Sequence, residues 1–322
     1  MDHKPKVSVI IPVYNTANYL VECLDSLLGQ SLSDFEVLIM DDGSTDNSNE
    51  ILEGYRNRDS RIQLFHQSNS GQSVARNFLI NLAKGEYIYF MDSDDILVNE
   101  AMKSCYERAK LENLDIVTFD ADIIYEGNQT PLSYDYHRSG LIPKKTLKGD
   151  EMFQITVKNG SYRAAPWLLF VKRETLVASG VRFFPGIIHE DELFTPQLYI
   201  AANRVSYIPQ IFFIRRVRAS STMTKSFSEK NFYGYMTVIS ELSTLSKNLG
   251  SDNRGALRII IRDVLSVVAY NSNSLNGEMR RSLLRSIFKE NFLFEIPFKS
   301  LFILLFPFSK SVNKGLKKRI VS

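Results

Sequence analysis

Residues 35–46 read FEVLIMDDGSTD, an apolar run that passes directly into an acidic loop. The run Phe35–Met40 is short and mostly apolar, as expected of a buried strand. The following loop combines glycine, serine and aspartate, which favour a tight turn. Four more apolar runs are each followed by polar or glycine-containing residues: Val7–Val13, Ile62–Phe65, Tyr87–Met91 and Ile116–Phe119. The sequence therefore predicts a series of buried strands that end in polar loops.

Helical patterns lie between these runs. Apolar residues recur at helical spacing in Tyr19–Leu28 and in Ser73–Leu82. Continuously apolar strands separated by helices predict an α/β fold with a mainly parallel sheet between helices, because each connection must cross back over the sheet. In such sheets ligands bind beyond the carboxyl ends of the strands. We therefore expect function to lie in the loops that follow the strands.

The alternation of strands and helices stops near residue 121. Residues 122–148 are polar and rich in glycine and proline, which indicates irregular connections. Residues 152–223 contain the single tryptophan and an acidic cluster at 189–192, and the chain beyond about residue 228 has helical periodicity. We predict one domain over 1–225, built of halves 1–121 and 122–225, and a helical C-terminal region over 226–322.

Charge and composition argue against several classes of protein. Lysines and arginines exceed aspartates and glutamates by only three, which gives no support to nucleic-acid binding. Cys23 and Cys105 lack the spacing of a zinc site or a disulfide framework, so we expect reduced core thiols. No cleavage region precedes the first strand, which predicts a chain without a signal peptide and a cytoplasmic location.

Two loops at the predicted binding edge suit a nucleotide. In the segment Pro12-Val13-Tyr14-Asn15, the ring of Tyr14 can lie against a base, although a tyrosine at a strand end is often only packing. After the second strand, Asp42 can accept a hydrogen bond from a base N–H, as uracil and guanine both offer. The same loop can also be a tight turn followed by a helix cap, so both interpretations stay open here.

A third loop, Asp92-Ser93-Asp94-Asp95, follows Tyr87–Met91 and holds three carboxylates in four residues. Divalent ions such as Mn²⁺ and Mg²⁺ bind carboxylate and phosphate oxygens together. Asp92 and Asp94 are therefore candidate ligands of a cation that also contacts a diphosphate, and capping of the next helix is the alternative. Arg76, on the preceding helix, can reach phosphate or the base-binding carboxylates, or it can be a solvated surface residue.

The order and spacing of these segments resemble glycosyltransferase family 2. The resemblance covers about the first two thirds of the chain, and it implies the GT-A fold with a nucleotide-sugar-binding half over 1–121 and an acceptor half over 122–225. It is carried by Val7–Asn15, Asp41–Asp46, Ala75–Asn77 and Asp92–Asp95, and by later markers of bacterial members: Trp167 with Lys172-Arg173, Glu190-Asp191 with Phe194, and Arg216-x-Arg218 followed by Ser221.

The resemblance also implies a role for each matching residue. The family places its catalytic base in the Glu190-Asp191 pair, and we assign the base to Asp191, with Glu190 as the second choice. Nucleotide contacts are expected from Pro12, Tyr14, Asn15, Asp42 and Arg76, and diphosphate and Mn²⁺ or Mg²⁺ contacts from Asp92, Ser93 and Asp94. By residue type, Trp167 can stack on a sugar ring of the acceptor or lie in the core, and apolar residues follow it where the family commonly has polar ones. Because guanidinium pairs well with phosphate, Arg216 and Arg218 can clamp the diphosphate, or they can lie in a solvated basic loop.

Such a reaction needs only one base. A nucleotide diphosphate becomes a good leaving group once a divalent cation takes up its developing charge. On the opposite face of the sugar, a carboxylate removes the proton of the acceptor hydroxyl, whose attack inverts the anomeric carbon. We expect an inverting transfer of a hexose-type sugar from a nucleotide diphosphate, UDP being favoured over GDP or TDP, to a glycan hydroxyl in bacterial surface polysaccharide synthesis.

The C-terminal third carries a different signal. Residues 292–306 are strongly apolar but interrupted, too short to span a bilayer, and five basic residues follow between 310 and 319. One interpretation is a segment that lies in an anionic membrane interface, near a lipid-linked acceptor on the inner face of the cytoplasmic membrane. The other is a terminal helix that packs on the protein or in a homodimer.

Two other functions stay open from the sequence alone. A nucleotidyltransferase also uses carboxylates and a metal, but the segment Pro12–Asn15 lacks the glycine-rich, lysine-containing phosphate loop that would favour it. A non-catalytic protein that binds a sugar nucleotide or a glycan could keep the same fold. The intact Asp92, Asp94 and Asp191 argue against that second alternative.

Overall fold

The structure is a computed structural model that describes residues 4–127, 135–218, 226–289, 291–293 and 295–306. The predicted marker Ser221 and the basic residues between 310 and 319 lie outside these ranges. The strands are β1 (Val7–Val13), β2 (Phe35–Asp41), β3 (Ile62–His66), β4 (Tyr87–Phe90), β5 (Ile96–Leu97), β6 (Ile116–Tyr125), β7 (Leu169–Lys172) and β8 (Val205–Val217). The helices are α1 (Ala17–Leu28), α2 (Ser48–Arg58), α3 (Gln72–Leu82), α4 (Ala101–Glu112), α5 (Gly149–Lys158), α6 (Arg173–Ser179), α7 (Asp191–Ala201), α8 (Glu229–Ser246), α9 (Ser251–Tyr270), α10 (Gly277–Lys289) and α11 (Phe298–Leu305).

The strands form one sheet in the order β3-β2-β1-β4-β7-β6-β8-β5. The pairs β1–β2, β1–β4 and β2–β3 are parallel, as predicted for this half of the sheet. In the other half, β7 runs antiparallel to both β4 and β6, and β5 runs antiparallel to β8, while β6 and β8 are parallel. The predicted α/β class is confirmed, but the sheet is mixed beyond β4, because an apolar pattern carries no information about strand direction.

The parallel half of the sheet is buried on both faces. Every residue of β1 and β2 is buried, which explains why these strands lack the alternation of apolar and polar residues seen in half-exposed strands. Helix α1 packs its apolar stripe onto this core through Leu20, Leu24 and Leu27. Both cysteines are buried free thiols in the same core, as predicted. This rigid layer fixes the positions of the loops at its carboxyl edge.

The chain divides into two compact units. The first contains Met1–Gly186 and Glu190–Lys225, and holds the sheet with α1 to α7. The second contains Ile187–His189 and Ser226–Ser322, and its helices are α8 to α11. Within the second unit, α8 approaches the short segment closely at Gly234, where an added Cβ would lie 2.3 Å from the carbonyl oxygen of Ile188. In the described part of the chain, no helix combines the length and apolar character needed to cross a bilayer.

Candidate active site

The loop after β1 is fastened to the loop after β2. Asn15 has a positive φ of 53°, its backbone N–H donates to Ser44 Oγ (3.1 Å), and its Oδ1 accepts from the backbone N–H of Thr45 (2.7 Å). Asp46 Oδ2 accepts from the backbone N–H of Ala17 (3.0 Å), so it supplies an acceptor to the first turn of α1. Asn15 therefore holds two loops together, a role that the sequence did not indicate.

Three of the residues predicted to contact the donor differ in how accessible their side chains are to a ligand. Pro12 lies within β1 opposite Met40, and its buried ring has no surface for the predicted contact. Ser93 is also buried, and its Oγ accepts from Thr16 Oγ1 (3.0 Å), which joins the third loop to the first. These two residues shape the rim of the site. Tyr14, by contrast, is 46% exposed just beyond β1, so its stacking on a base stays a prediction that the structure accommodates.

The carboxylate of Asp42 is buried and organises the segment before α3. Its Oδ1 accepts from Gln67 Nε2 (2.6 Å) and from the backbone N–H of Ser70 (2.8 Å), and its Oδ2 accepts from the backbone N–H of Gly71 (2.9 Å). An ionised carboxylate has about four acceptor positions, so one remains for a base N–H. Asp42 thus combines the structural role of the turn with capacity for the predicted contact.

Arg76 lies at the centre of the acidic residues. It is 2% exposed, although it was predicted at the nucleotide or on the surface. Its Nη2 donates to Asp92 Oδ1 (2.7 Å), and its Nη1 donates to Glu190 Oε1 (3.1 Å) and Asp191 Oδ1 (3.3 Å). The guanidinium carbon also lies 4.9 Å from the ring centre of Phe183. One side chain therefore brings the predicted metal ligand and the predicted base to the same place.

The charges around Arg76 explain its protonation. Burial on its own lowers the pKa of a guanidinium, but Asp191, Asp92 and Glu190 raise the pKa of Arg76 above its ordinary value. The side chain is a permanent cation in contact with three carboxylates, and Nη1 uses both of its N–H groups on Glu190 and Asp191. Arg76 therefore has a role inside the acidic cluster, and its direct contact with the nucleotide stays a prediction.

The two candidate bases have different surroundings. Glu190, 1% exposed, accepts from Arg76 and also from Gln72 Nε2, so its carboxylate is enclosed. Asp191 begins α7 and keeps 26% exposure. Burial and the charge of Glu190 raise the pKa of Asp191 well above its usual range, and Arg76 opposes this. Asp191 therefore has the more accessible carboxylate of the pair.

The loop Asp92–Asp95, which is predicted to bind the metal, lies beside the same guanidinium. Asp92 keeps 31% exposure next to Arg76, and Asp94 Oδ2 accepts from Arg218 Nε (2.8 Å). Burial and the charge of Asp92 raise the pKa of Asp94, and Arg218 lowers it. Asp95 is buried and accepts from the backbone N–H of Arg216 (2.7 Å), so it fastens the loop to the end of β8.

Asp92 and Asp94 fit a divalent cation only in part. Within the described ranges, no group of three or more histidine, cysteine, aspartate or glutamate side chains is placed to hold a metal ion. Asp92 and Asp94 are neighbouring carboxylates, and their oxygens are the hard ligands that such cations prefer. Burial and the charge of Asp92 raise the pKa of Asp94. The pair fits a cation that takes its remaining ligands from a diphosphate and water. The donor set therefore suits Mn²⁺ or Mg²⁺ bound together with the donor substrate.

Two further predictions need correction. Trp167 is buried, with its ring stacked on Phe213 (4.4 Å between centres) and edge-on to Tyr136 (4.9 Å), so it has no free face for an acceptor sugar. Arg216 pairs through Nη1 with Glu126 (2.8 Å) and through Nη2 with Glu22. That guanidinium is engaged across α1 and the end of β6, which does not support the predicted diphosphate clamp.

Sequence reasoning missed several residues that build the site. Gln72 holds Glu190, Gln67 holds Asp42, and Glu126 holds both Arg216 and the hydroxyl of Tyr19 (3.0 Å). Gln72 lies one turn before Arg76 on α3, so helical spacing could have identified it as a neighbour. Nothing local to Glu126 signals its partner, because that contact spans 90 residues of chain.

Comparison with known proteins identifies the family. The family described as Glycosyl transferase family 2 matches residues 8–165. The glycosyltransferase GlyG of Streptococcus pneumoniae is 30% identical over 227 residues, which cover 69% of this chain and 74% of GlyG. The chain belongs to glycosyltransferase family 2. This transferase spans a smaller share of two further curated relatives, 35% and 61% of their lengths.

Two solved structures share the fold of the transferase. TarS from S. aureus, in complex with UDP-GlcNAc, superposes with a TM-score of 0.69 at 23% identity, covering 92% of this chain and 82% of that one. The mannosyltransferase PcManGT from Pyrobaculum calidifontis, in complex with GDP-Man and Mn²⁺, gives a TM-score of 0.53 at 15% identity, with 91% and 89% covered. These similarities confirm the predicted GT-A fold.

Proposed function

We propose that this transferase moves a hexose-type sugar from a nucleotide diphosphate, with UDP favoured, onto a glycan hydroxyl with inversion at the anomeric carbon. The observation that carries the proposal is the contact of one buried guanidinium, that of Arg76, with Asp92 on one side and with the Glu190-Asp191 pair on the other. The leaving-group side and the base side of the reaction thereby share one site.

Asp191 acts as the general base in this proposal. Its carboxylate is partly exposed, whereas that of Glu190 is enclosed by Arg76 and Gln72. A raised pKa makes an ionised carboxylate a stronger proton acceptor, and burial together with the charge of Glu190 raises the pKa of Asp191. Glu190 then serves as a positioning residue that holds Arg76 against α7.

Asp92 and Asp94 would hold the cation. When bound, Mn²⁺ or Mg²⁺ would neutralise the charge that develops on the departing nucleotide diphosphate. Arg76 fixes the orientation of Asp92, and Arg218, one of the two arginines of the predicted clamp, holds Asp94. Asp42 and Tyr14 would position the base of the donor.

Similar proteins support the proposed class of donor without fixing its base. TarS was solved with UDP-GlcNAc and PcManGT with GDP-Man and Mn²⁺, so the same fold accommodates a uracil and a guanine nucleotide. The hydrogen-bond capacity of Asp42 suits both bases. We place the reaction in bacterial surface polysaccharide synthesis, with a lipid-linked glycan acceptor at the inner face of the cytoplasmic membrane.

The test combines a donor panel with one substitution. Nucleotide sugars carrying UDP, GDP or TDP are assayed with Mn²⁺ or Mg²⁺ for hydrolysis and for thermal stabilisation of the protein. Asp191→Asn should lower transfer by at least about a hundredfold while nucleotide and Mn²⁺ still raise the melting temperature. The neighbouring Glu192→Gln serves as the matched control and should retain activity. The proposal would be contradicted if Asp191→Asn transferred sugar as fast as the unaltered protein. It would also be contradicted if the protein formed a sugar–nucleotide bond, as a nucleotidyltransferase does, and transferred no sugar.

A further inference from the structure

Helix α11 has two apolar faces. Its Ser300, Ile303 and Leu304 are buried within the second unit. The opposite face remains exposed and carries phenylalanine at every fourth position: Phe298 (80% exposed), Phe302 (39%) and, just after the helix, Phe306 (57%). Consecutive rings lie 6.1 and 5.0 Å apart, so they form a continuous aromatic row. Large apolar side chains this exposed in a row usually mark an interaction surface.

Positive charge is concentrated in the same part of the sequence. Residues 277–322 contain ten lysines and arginines and three glutamates, a net charge of +7, whereas the whole chain carries only +3. The last sixteen residues, 307–322, contain five of these basic residues and no acidic ones. The chain that continues from the aromatic row is therefore strongly cationic, and its chemistry matches an anionic partner.

We infer that the aromatic row of α11 binds the interfacial region of an anionic lipid bilayer. Aromatic rings enter the boundary between headgroups and acyl chains, and the basic residues that follow are attracted to anionic headgroups. The eight residues of α11 are about 12 Å long, against a hydrocarbon core of about 30 Å, so the helix lies in the surface and does not span it. This inference rests on the membrane location given under the proposed function, and it adds which surface of the protein contacts the membrane.

A second copy of the chain fits this face less well. In a twofold dimer the same patch occupies both sides of the interface, so two copies of a region whose sequence carries a net charge of +7 would meet. That region has three acidic residues to set against ten basic ones. An anionic bilayer offers an apolar environment for the rings and negative charge for the basic residues.

Flotation of the full chain with lipid vesicles tests the inference. Without nucleotide sugar, the protein should bind vesicles containing phosphatidylglycerol and not vesicles of phosphatidylcholine alone, and binding should weaken between about 0.1 and about 0.5 M salt. Phe298→Ser combined with Phe302→Ser should lower binding at least about tenfold, because it removes apolar groups from the interface. Tyr233→Ser is the matched control, since Tyr233 is 59% exposed on α8 of the same unit.

Two readouts make the outcome decisive. The melting temperatures of the double variant and the control should match that of the unaltered chain, because the replaced rings are exposed, and sedimentation velocity reports the oligomeric state. The inference would be overturned if the protein bound both lipids equally, or if the double variant bound vesicles as well as the unaltered chain. It would also be overturned if the substitutions abolished a dimer and left lipid binding unaffected. Hydrolysis of a soluble nucleotide sugar should be unchanged in the double variant, so failure here is separate from failure of the transfer proposal.

Discussion

Replacing Arg76 with methionine should destabilise the protein by about 3 kcal/mol near neutral pH. Removing one partner of a buried ion pair typically costs about 3–5 kcal/mol, because the remaining charge is left uncompensated. Of the three carboxylates that Arg76 contacts, Glu190 is 1% exposed, but Asp92 and Asp191 keep 31% and 26% exposure. Water screens part of the charge of those two residues, so we expect the lower end of this range.

The loss should depend on pH in a defined direction. Burial raises the pKa values of Glu190 and Asp191, and Arg76 lowers both. Without the guanidinium, these folded-state pKa values rise further above their unfolded values. The folded variant then binds more protons than the unfolded chain across that interval, so its stability decreases as the pH rises. The destabilisation relative to the unaltered protein should therefore be smaller at about pH 5 than at about pH 8.

Urea unfolding followed by circular dichroism at these two pH values, without metal or nucleotide, measures the effect. Arg61→Met is the matched control: Arg61 pairs with Asp59 at 2.7 Å but is 27% exposed, so its loss should cost about 1 kcal/mol or less. Hydrogen bonding to Arg61 lowers the pKa of Asp59, which keeps Asp59 ionised at both pH values. A loss for Arg76→Met that equals the control, or that is the same at both pH values, would refute the reasoning.

Two further predictions concern single side chains. Arg218→Gln should tighten binding of Mn²⁺ alone about fivefold, measured by the spin-resonance signal of free Mn²⁺, because Arg218 now pairs with Asp94; unchanged or weaker binding would contradict this. Burial lowers the pKa of His189 to about 4, so the contribution of neutral His189 to the free energy of unfolding should be fully present above about pH 6.5. It should fall by at most about 3 kcal/mol as the pH decreases to about 4. In urea unfolding, His189→Asn should remove this pH dependence, because asparagine tolerates the φ of 70° at this position; a pH dependence that persists would show that other groups cause it.

The sequence predicts the parallel half of the fold well for a physical reason. Strands β1 and β2 are buried on both faces, so both are mostly apolar, and polar residues cluster in the loops that follow them. Their carboxyl ends lie at one edge of the sheet by topology alone. Asp42 and Asp92 could therefore be placed at the site from the pattern of strands and loops.

Strands β7 and β8 of the mixed half were missed because their sequence signals are short or irregular. Strand β7 has only four residues, and its first, Leu169, was noted in the sequence merely as an apolar departure from the family pattern. Strand β8 contains Pro209, and its pairing with β6 skips Pro209 and Gln210 between Ile208 and Ile211. A bulge can accommodate a proline that a regular ladder excludes, but the sequence shows only an interrupted run.

The site residues also differ in how far the sequence predicted their contacts. Arg76 was recognised as functional, but its partners Glu190 and Asp191 lie 114 and 115 residues away in the sequence, and no local pattern encodes such a contact. Trp167 shows the converse error: an amphipathic ring was given a ligand because of its type, whereas stacking on Phe213 occupies it in the core. Residue type predicts what a side chain can do, and only packing decides what it faces.

The balance of charge at the site bears on its need for a cation. Asp92, Asp94, Glu190 and Asp191 face only two guanidinium groups, those of Arg76 and Arg218, in the contacts described above. Burial raises the pKa values of Asp94 and Asp191, and repulsion from neighbouring carboxylates raises them further. A nucleotide diphosphate would add at least about two more negative charges at this edge, and repulsion between groups a few ångströms apart is strong in a partly buried site. A divalent cation held by Asp92 and Asp94 would lower that repulsion, whereas Arg218 alone supplies a single charge. As part of the proposed function, we therefore expect the donor to bind together with a divalent cation and not through arginines alone.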